Sequence, residues 1–310
     1  MTLAIVTIGL ALLAFPGLAA RRAWLRPPAE WSRVAGVSIA AGALTLYVGL
    51  VLIALPTVLR FAEVEGIASM CEHVLRRLTV GGPLAGWTSA GLVVIATIRA
   101  AGACLRAHRA SRRARIEPWL GEHFDRGDFE LVILPTPALV AVGVPGLQPQ
   151  VVISEGLLYE LDEARIEAVI NHEAAHHRLG HRRYLLLAAL VEQVYGVLPP
   201  VRRSTHALCD AIEQWADEVA AHGAPERALT LRAAIVSVGR AACAGTGGLV
   251  PRPLATRARR LEQPTPRTTV LTRGLTYIPA GALGLSAVLL VAGWFVDSHH
   301  AFALGGYCPT

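Results

Sequence analysis

Four long apolar runs decide what this chain can fold into. Leu3–Ala19, Val34–Leu59 and Leu275–Val296 carry no charge, and Leu84–Ala103 carries only Arg99. A helix needs roughly 20 apolar residues to cross the hydrocarbon core of a bilayer, so each run reads as a membrane span. Pro56 lies near the end of its run, where a membrane helix tolerates it. Arg99 lies close enough to an end to snorkel. Only 17% of the 310 residues are charged, against about a quarter in soluble domains. The first run is the one candidate for a signal peptide, but its arginines follow it instead of preceding it.

Orientation follows from basic residues, which favour the cytoplasmic side. Arg21, Arg22, Arg26 and Arg33 follow the first run, and Arg106, Arg109, Arg112, Arg113 and Arg115 follow the third. The loop between the second and third runs mixes Arg60, Arg76 and Arg77 with Glu63, Glu65 and Glu72. Both termini are therefore expected outside and the segment 106–273 inside. The net charge of +6 is accounted for by flanking arginines meeting anionic lipid, and nothing in it calls for direct contact with nucleic acid. The expected organisation is a membrane domain, 1–105, with spans at about 3–19, 34–59 and 84–103. A cytoplasmic domain, 106–273, follows, and then 274–310 with the last span and a short outer tail.

The insert opens with a basic amphipathic stretch through Trp119. Phe129–Leu134 and Gln150–Ser154 read as strands bracketed by prolines. Ser154 and Asp162 are helix starts, and Asp162–His177 has helical periodicity. Tyr184–Leu198 is apolar but holds Glu192 and Gln193, which suits a buried or interfacial helix better than a fifth span. An amphipathic helix is expected from Ser204 through Ala221. Gly245–Arg273, rich in Gly, Pro, Thr and Arg, reads as a linker.

The chemistry concentrates at Asn171-His172-Glu173-Ala174-Ala175-His176. In H-E-x-x-H on a helix, positions four apart share a face, so both imidazoles can reach one zinc. Glu173, offset by about a third of a turn, meets the attacking water instead of the metal. A catalytic zinc takes three protein ligands and keeps one position open. Downstream, Glu213-Gln214-Trp215-Ala216-Asp217 places two carboxylates four apart on the next amphipathic helix. One can bind the metal while the other orients a ligand histidine.

Here the sequence resembles a family. Val151–Leu158 (VVISEGLL), Ile166–His177 (IEAVINHEAAHH), His181 and the EQWAD string are similar to the membrane gluzincins of the BlaR/MecR type. They are more distantly similar to membrane proteases of the HtpX and Ste24 type. The resemblance spans roughly 131–221. It implies a mainly α fold with four transmembrane helices and an inserted α+β, zincin-like cytoplasmic metallopeptidase domain. It also implies one Zn2+ per chain on His172, His176 and Glu213, with Glu173 as general base and Asp217 as support behind a ligand. The stretch Ala138–Leu147 resembles the family's strand beside the cleft, which pairs with an extended substrate. The β-lactam sensors carry an outer penicillin-binding domain and an S-x-x-K motif, which the 14 or so residues after the last run lack.

The expected activity is thus that of a zinc endopeptidase acting on a protein or peptide, such as a cytosolic repressor or a membrane-proximal segment, at the lipid bilayer. The competing reading is a non-proteolytic membrane transducer with a structural zinc, but a structural site has no use for a general base. His177 and His181 fall off the face shared by His172 and His176 and are expected to be surface neighbours. His222, His299 and His300 are weaker candidates still. No phosphate loop, nucleophile elbow or C-x-x-C pair is present. On the expected topology Cys71 and Cys308 alone face the oxidising side and could pair, whereas Cys104, Cys209 and Cys243 do not.

Overall fold

The computed structural model describes residues 2–23, 26–61, 81–113, 121–144, 148–221, 223–244 and 252–262, together with 286, 288, 289 and 292. The first three apolar runs form helices α1 (Thr2–Ala23), α2 (Pro28–Phe61) and α3 (Gly82–Arg113). Within them Thr2–Ala20, Pro28–Leu59 and Gly82–Ala110 are long and apolar enough to cross a membrane. The fourth run lies outside the described residues apart from isolated positions, as do Cys71 and Cys308. Helix α3 runs unbroken to Arg113, so the expected juxtamembrane stretch begins as its continuation and not as a separate helix.

Two local devices hold α1 against α2. Pro16 has no N–H for the Leu12 carbonyl, and the buried Ser38 hydroxyl of α2 donates to that carbonyl instead, at 2.8 Å. The backbones also approach closely at small residues, as membrane helices do. A Cβ on Gly9 would stand 2.7 Å from the Leu46 nitrogen. Helix α3 turns Leu92, Val94, Ile95 and Ile98 outward, as a lipid-facing surface would. Arg99 finds a partner within the protein. Its Nε donates to the Gln193 carbonyl at 2.6 Å, satisfying an acceptor near a helix C-terminus that has no intrahelical donor.

A four-stranded sheet follows: β1 (Glu122–Asp125), β2 (Glu130–Leu134), β3 (Ala141–Val144) and β4 (Gln150–Ser154). Its order is β1-β2-β4-β3, with β2 and β4 parallel and both outer strands antiparallel. The two expected strands are the central pair. The sequence reading did not anticipate β1, whose residues EHFD are all exposed and lack apolar alternation. Leu131, Val151 and Ile153 face a core with Ile166, Ile170 and Ala174 of helix α5, while Val132, Val144 and Val152 form a smaller cluster.

The remaining helices are α4 (Glu155–Glu160), α5 (Glu163–Arg178), α6 (Arg182–Tyr195), α7 (Pro199–Ala221), α8 (Pro225–Ala244) and α9 (Arg252–Arg260). Ser154 caps α4 by accepting from Leu157 N at 3.2 Å, and Asp162 caps α5 by accepting from Arg165 N at 2.9 Å. Both caps were legible as short polar side chains before a helical pattern. Helix α7 begins ahead of Ser204, at Pro199, because a proline suits the first helical position, where no N–H is needed. Helix α9 replaces part of the expected linker 245–273.

Helix α7 is held against the membrane-type helices along most of its length. Leu13, Trp31, Val34 and Ile39 of α1 and α2 join Val191 of α6 and Val201, Leu208 and Ile212 of α7 in one core. Burying each Leu or Ile there contributes about 1.5–3 kcal/mol. A Cβ on Gly17 of α1 would come within 2.9 Å of the Arg203 Cβ, and the Gly17 N–H donates to Ser204 Oγ at 2.8 Å.

Candidate metal centre

Helix α5 presents His172 and His176 one turn apart. Their Nε2 atoms stand 3.2 Å from each other. Helix α7 crosses this face and brings Glu213, with Oε2 3.4 Å from His172 Nε2 and Oε1 3.5 Å from His176 Nε2. A tetrahedral zinc with bonds of about 2.0–2.1 Å requires ligand atoms roughly 3.3 Å apart. The donor set and its spacing therefore fit a zinc ion, and the three residues form a group that could hold a metal.

One turn further along α7, Asp217 is 3% exposed. Its Oδ1 lies 3.0 Å from His172 Nδ1, the placement that keeps Nε2 free for a metal. Arg257 of α9 closes the arrangement. Its Nε donates to Asp217 Oδ2 at 2.8 Å, and its NH2 donates to Oδ1 at 2.6 Å. Its NH1 reaches Glu213 Oε2 at 2.9 Å, and NH2 lies 3.3 Å from His172 Nε2. This cluster of donors thus already draws a cation. Sequence reading missed Arg257 because it sits in a stretch whose composition suggested a linker.

His181 departs from expectation too. It is 0% exposed and packs its ring 4.8 Å from that of Trp215. The cause is a Schellman turn ending α5. Gly180 takes φ +62, the Gly180 N–H bonds to the His177 carbonyl, and the His181 N–H bonds to the His176 carbonyl. That left-handed position suits glycine and folds His181 back under His176, with their Nδ1 atoms 3.2 Å apart. His177 lies part-buried beside the sheet, its Nε2 3.0 Å from the Gln150 carbonyl. His222, His299 and His300 lie outside the described residues.

Glu173 stands between α5 and the sheet. Its Oε2 accepts from the Gly143 N–H at 3.0 Å, and Gly143 belongs to β3, an edge strand of the sheet. Burial pushes the Glu173 carboxyl above the usual glutamate range, against the pull of His172. Burial acts the same way on Glu213 and Asp217, but bonds to their cationic neighbours outweigh it and leave both below the usual range. For Glu213 these are His172 and then Arg257, and for Asp217 they are Arg257 and then His172. One carboxyl is poised to carry a proton and two are held as anions. Burial lowers His176 to about 4 and His181 to about 3, so both rings are neutral near pH 7. Burial opposes a proton on His172 as well, but the contacts with Asp217 and Glu213 prevail and raise it to about 9.

The site joins two histidines four apart on one helix to two carboxylates four apart on another. Residues 135–265 match the family model of peptidase family M48. The M48 match takes in His172, Glu173, His176, Glu213, Asp217 and Arg257 and supports a metal-dependent peptidase. It does not single out the BlaR/MecR type or the HtpX and Ste24 type. No curated protein and no solved structure matches the chain.

Proposed function

We propose that this chain is an integral-membrane zinc endopeptidase that hydrolyses a peptide bond of a protein substrate, in regulatory or signalling proteolysis. The observation that carries the reading is the 3.2–3.5 Å spacing of His172, His176 and Glu213, with Glu173 on the helix of the two histidines. Zinc held by these three residues would polarise the scissile carbonyl and lower the pKa of water.

The chain's own residues supply the rest. Glu173 takes a proton from the attacking water and returns it to the leaving amide nitrogen. Its raised proton affinity suits it to both transfers. Asp217 holds His172 in one orientation, and His181 does the same for His176. The outer edge of β3 can accept an extended peptide as a further strand, which would lay the peptide backbone alongside Glu173. Binding through backbone pairing leaves sequence preference to side-chain pockets.

The arginine distribution supports a domain order of membrane helices in 1–105, a cytoplasmic peptidase domain in 106–273, and a fourth span with an outer tail in 274–310. On that topology the substrate is a cytosolic regulator such as a repressor, or a membrane-proximal segment. Cys71 and Cys308 then share the outer, oxidising side, where they could form a disulfide. Substrate trapping tests the function. Glu173→Gln protein, zinc-loaded, should retain on purification a polypeptide that the parent cleaves. Recovery of no polypeptide that the parent cleaves would count against it.

A further inference from the structure

A cavity of about 560 Å³ opens between α1, α7 and α9, beside the N-terminal part of α2. It does not include the metal ligands. Its walls carry Arg203, His206, Asp210 and Gln214 from α7 and Arg259 and Arg260 from α9. Positions 203, 206, 210 and 214 recur at helical spacing, so α7 offers one face to this cleft and the face bearing Glu213 and Asp217 to the metal centre.

Charge and depth define what would fit. Among the described lining residues, three arginines and His206 accompany a single acid, Asp210. Among the described residues neither the Arg203 nor the Arg259 side chain has an ion-pair or hydrogen-bond partner, although both border the same cavity. His206 is turned to Glu192, at 3.4 Å. Arg260 is part-buried and donates to the Arg26 carbonyl at 2.9 Å, anchoring α9 to the connection between α1 and α2. The cleft lies where membrane-type helices end. Ala20, which lines it, is the last residue of the candidate span Thr2–Ala20, and the next span begins at Pro28. That is the level at which a bilayer presents its phosphates, and the planar guanidinium fork is matched to phosphate oxygens.

We infer that this cleft is a binding site for a phosphate group, held by Arg203 of α7 and Arg259 of α9. An anion bound there would tie α7 to α9, the two helices that also supply Glu213, Asp217 and Arg257. The inference stands independently of any peptidase activity.

The test uses the full chain in a neutral detergent. Retention of phosphatidylglycerol, with phosphatidylcholine as the zwitterionic control, is measured by native mass spectrometry, and inorganic phosphate is titrated separately. Phosphatidylglycerol should bind at least tenfold tighter than phosphatidylcholine. The pair R203A/R259A should weaken it about tenfold or more, as expected for losing charge-assisted contacts. The milder pair R203Q/R259Q should behave alike, with helix content checked by circular dichroism. If phosphatidylglycerol alone shows this sensitivity, the lipid headgroup is the source. If inorganic phosphate alone shows it, the source is a soluble phosphate. Binding of neither, or binding equal in parent and both variants, overturns the site.

Discussion

Arg257 and Asp217 are joined by two hydrogen bonds, Nε to Oδ2 at 2.8 Å and NH2 to Oδ1 at 2.6 Å. The same carboxylate stands 3.0 Å from His172 Nδ1. Forty residues of sequence thus separate two charges that share one buried pocket behind the metal centre. Removing Arg257 strips Asp217 of two charge-assisted hydrogen bonds while His172 stays beside it, at a cost of about 1.5–3 kcal/mol. Arg257→Ala should therefore lower the melting temperature of the metal-free protein by several degrees. A melting temperature equal to the parent's would mean that the pair is not buried as described.

Asp217→Asn probes the other side of the pair. It removes the negative charge that orients His172, and loss of such a supporting partner typically costs 10–100-fold in metal affinity. Competition with a chelator of known affinity measures it. Unchanged zinc affinity would show that His172 is positioned by its helix alone.

Proton linkage gives a third prediction. In the metal-free protein His172 holds its proton up to about pH 9, and only a neutral imidazole binds zinc. Zinc binding at pH 7.5 should release about one proton from this residue, and apparent affinity should rise with pH until about 9. Because this pKa is raised on folding, its stabilising contribution is full below the ordinary value near 6.5. It is lost as pH rises through about 9. Calorimetry of zinc binding in buffers of different ionisation enthalpy reads the proton count. No proton release at pH 7.5 would contradict the assignment.

His181 makes a separable contribution. Ligation through His176 Nε2 would place the ring proton on Nδ1, which would then donate to His181 Nδ1, 3.2 Å away. His181→Phe keeps a ring against Trp215 but removes the acceptor. Zinc affinity should fall about tenfold with little loss of helix content. An affinity within twofold of the parent would reduce His181 to a packing residue.

The legible parts of this molecule were those encoded by short-range periodicity. A spacing of four put His172 with His176 and Glu213 with Asp217, and apolar β-branched runs marked β2 and β4. What escaped was long-range or depended on a single turn. His181 is buried because Gly180 takes a left-handed conformation, and periodicity along α5 alone turns it away from the metal. Arg257 reaches the site only because α9 folds back on α7, and its neighbours Gly, Pro and Thr resemble a linker. The helix expected from Ser204 opens five residues earlier, at Pro199.

Topology yields a fifth prediction. A reporter fused near Gly245 should behave as cytoplasmic and one at Thr310 as external, as the arginine asymmetry requires. Thiol labelling of unreduced protein addresses the outer pair, and ready modification of both Cys71 and Cys308 would rule out a bridge. Inverted reporters would remove cytosolic substrates from consideration.

The most direct measurement compares zinc content and peptide cleavage in parent and Glu173→Gln protein, purified identically. Among the described residues the Glu173 carboxylate bonds to the Gly143 N–H and not to His172, His176 or Glu213, so its loss removes the proton carrier and leaves the ligand set in place. Parent and variant should each hold one zinc per chain, while cleavage by the variant falls by a factor of about 10²–10⁴. Full zinc together with undiminished cleavage in the variant would contradict the central claim.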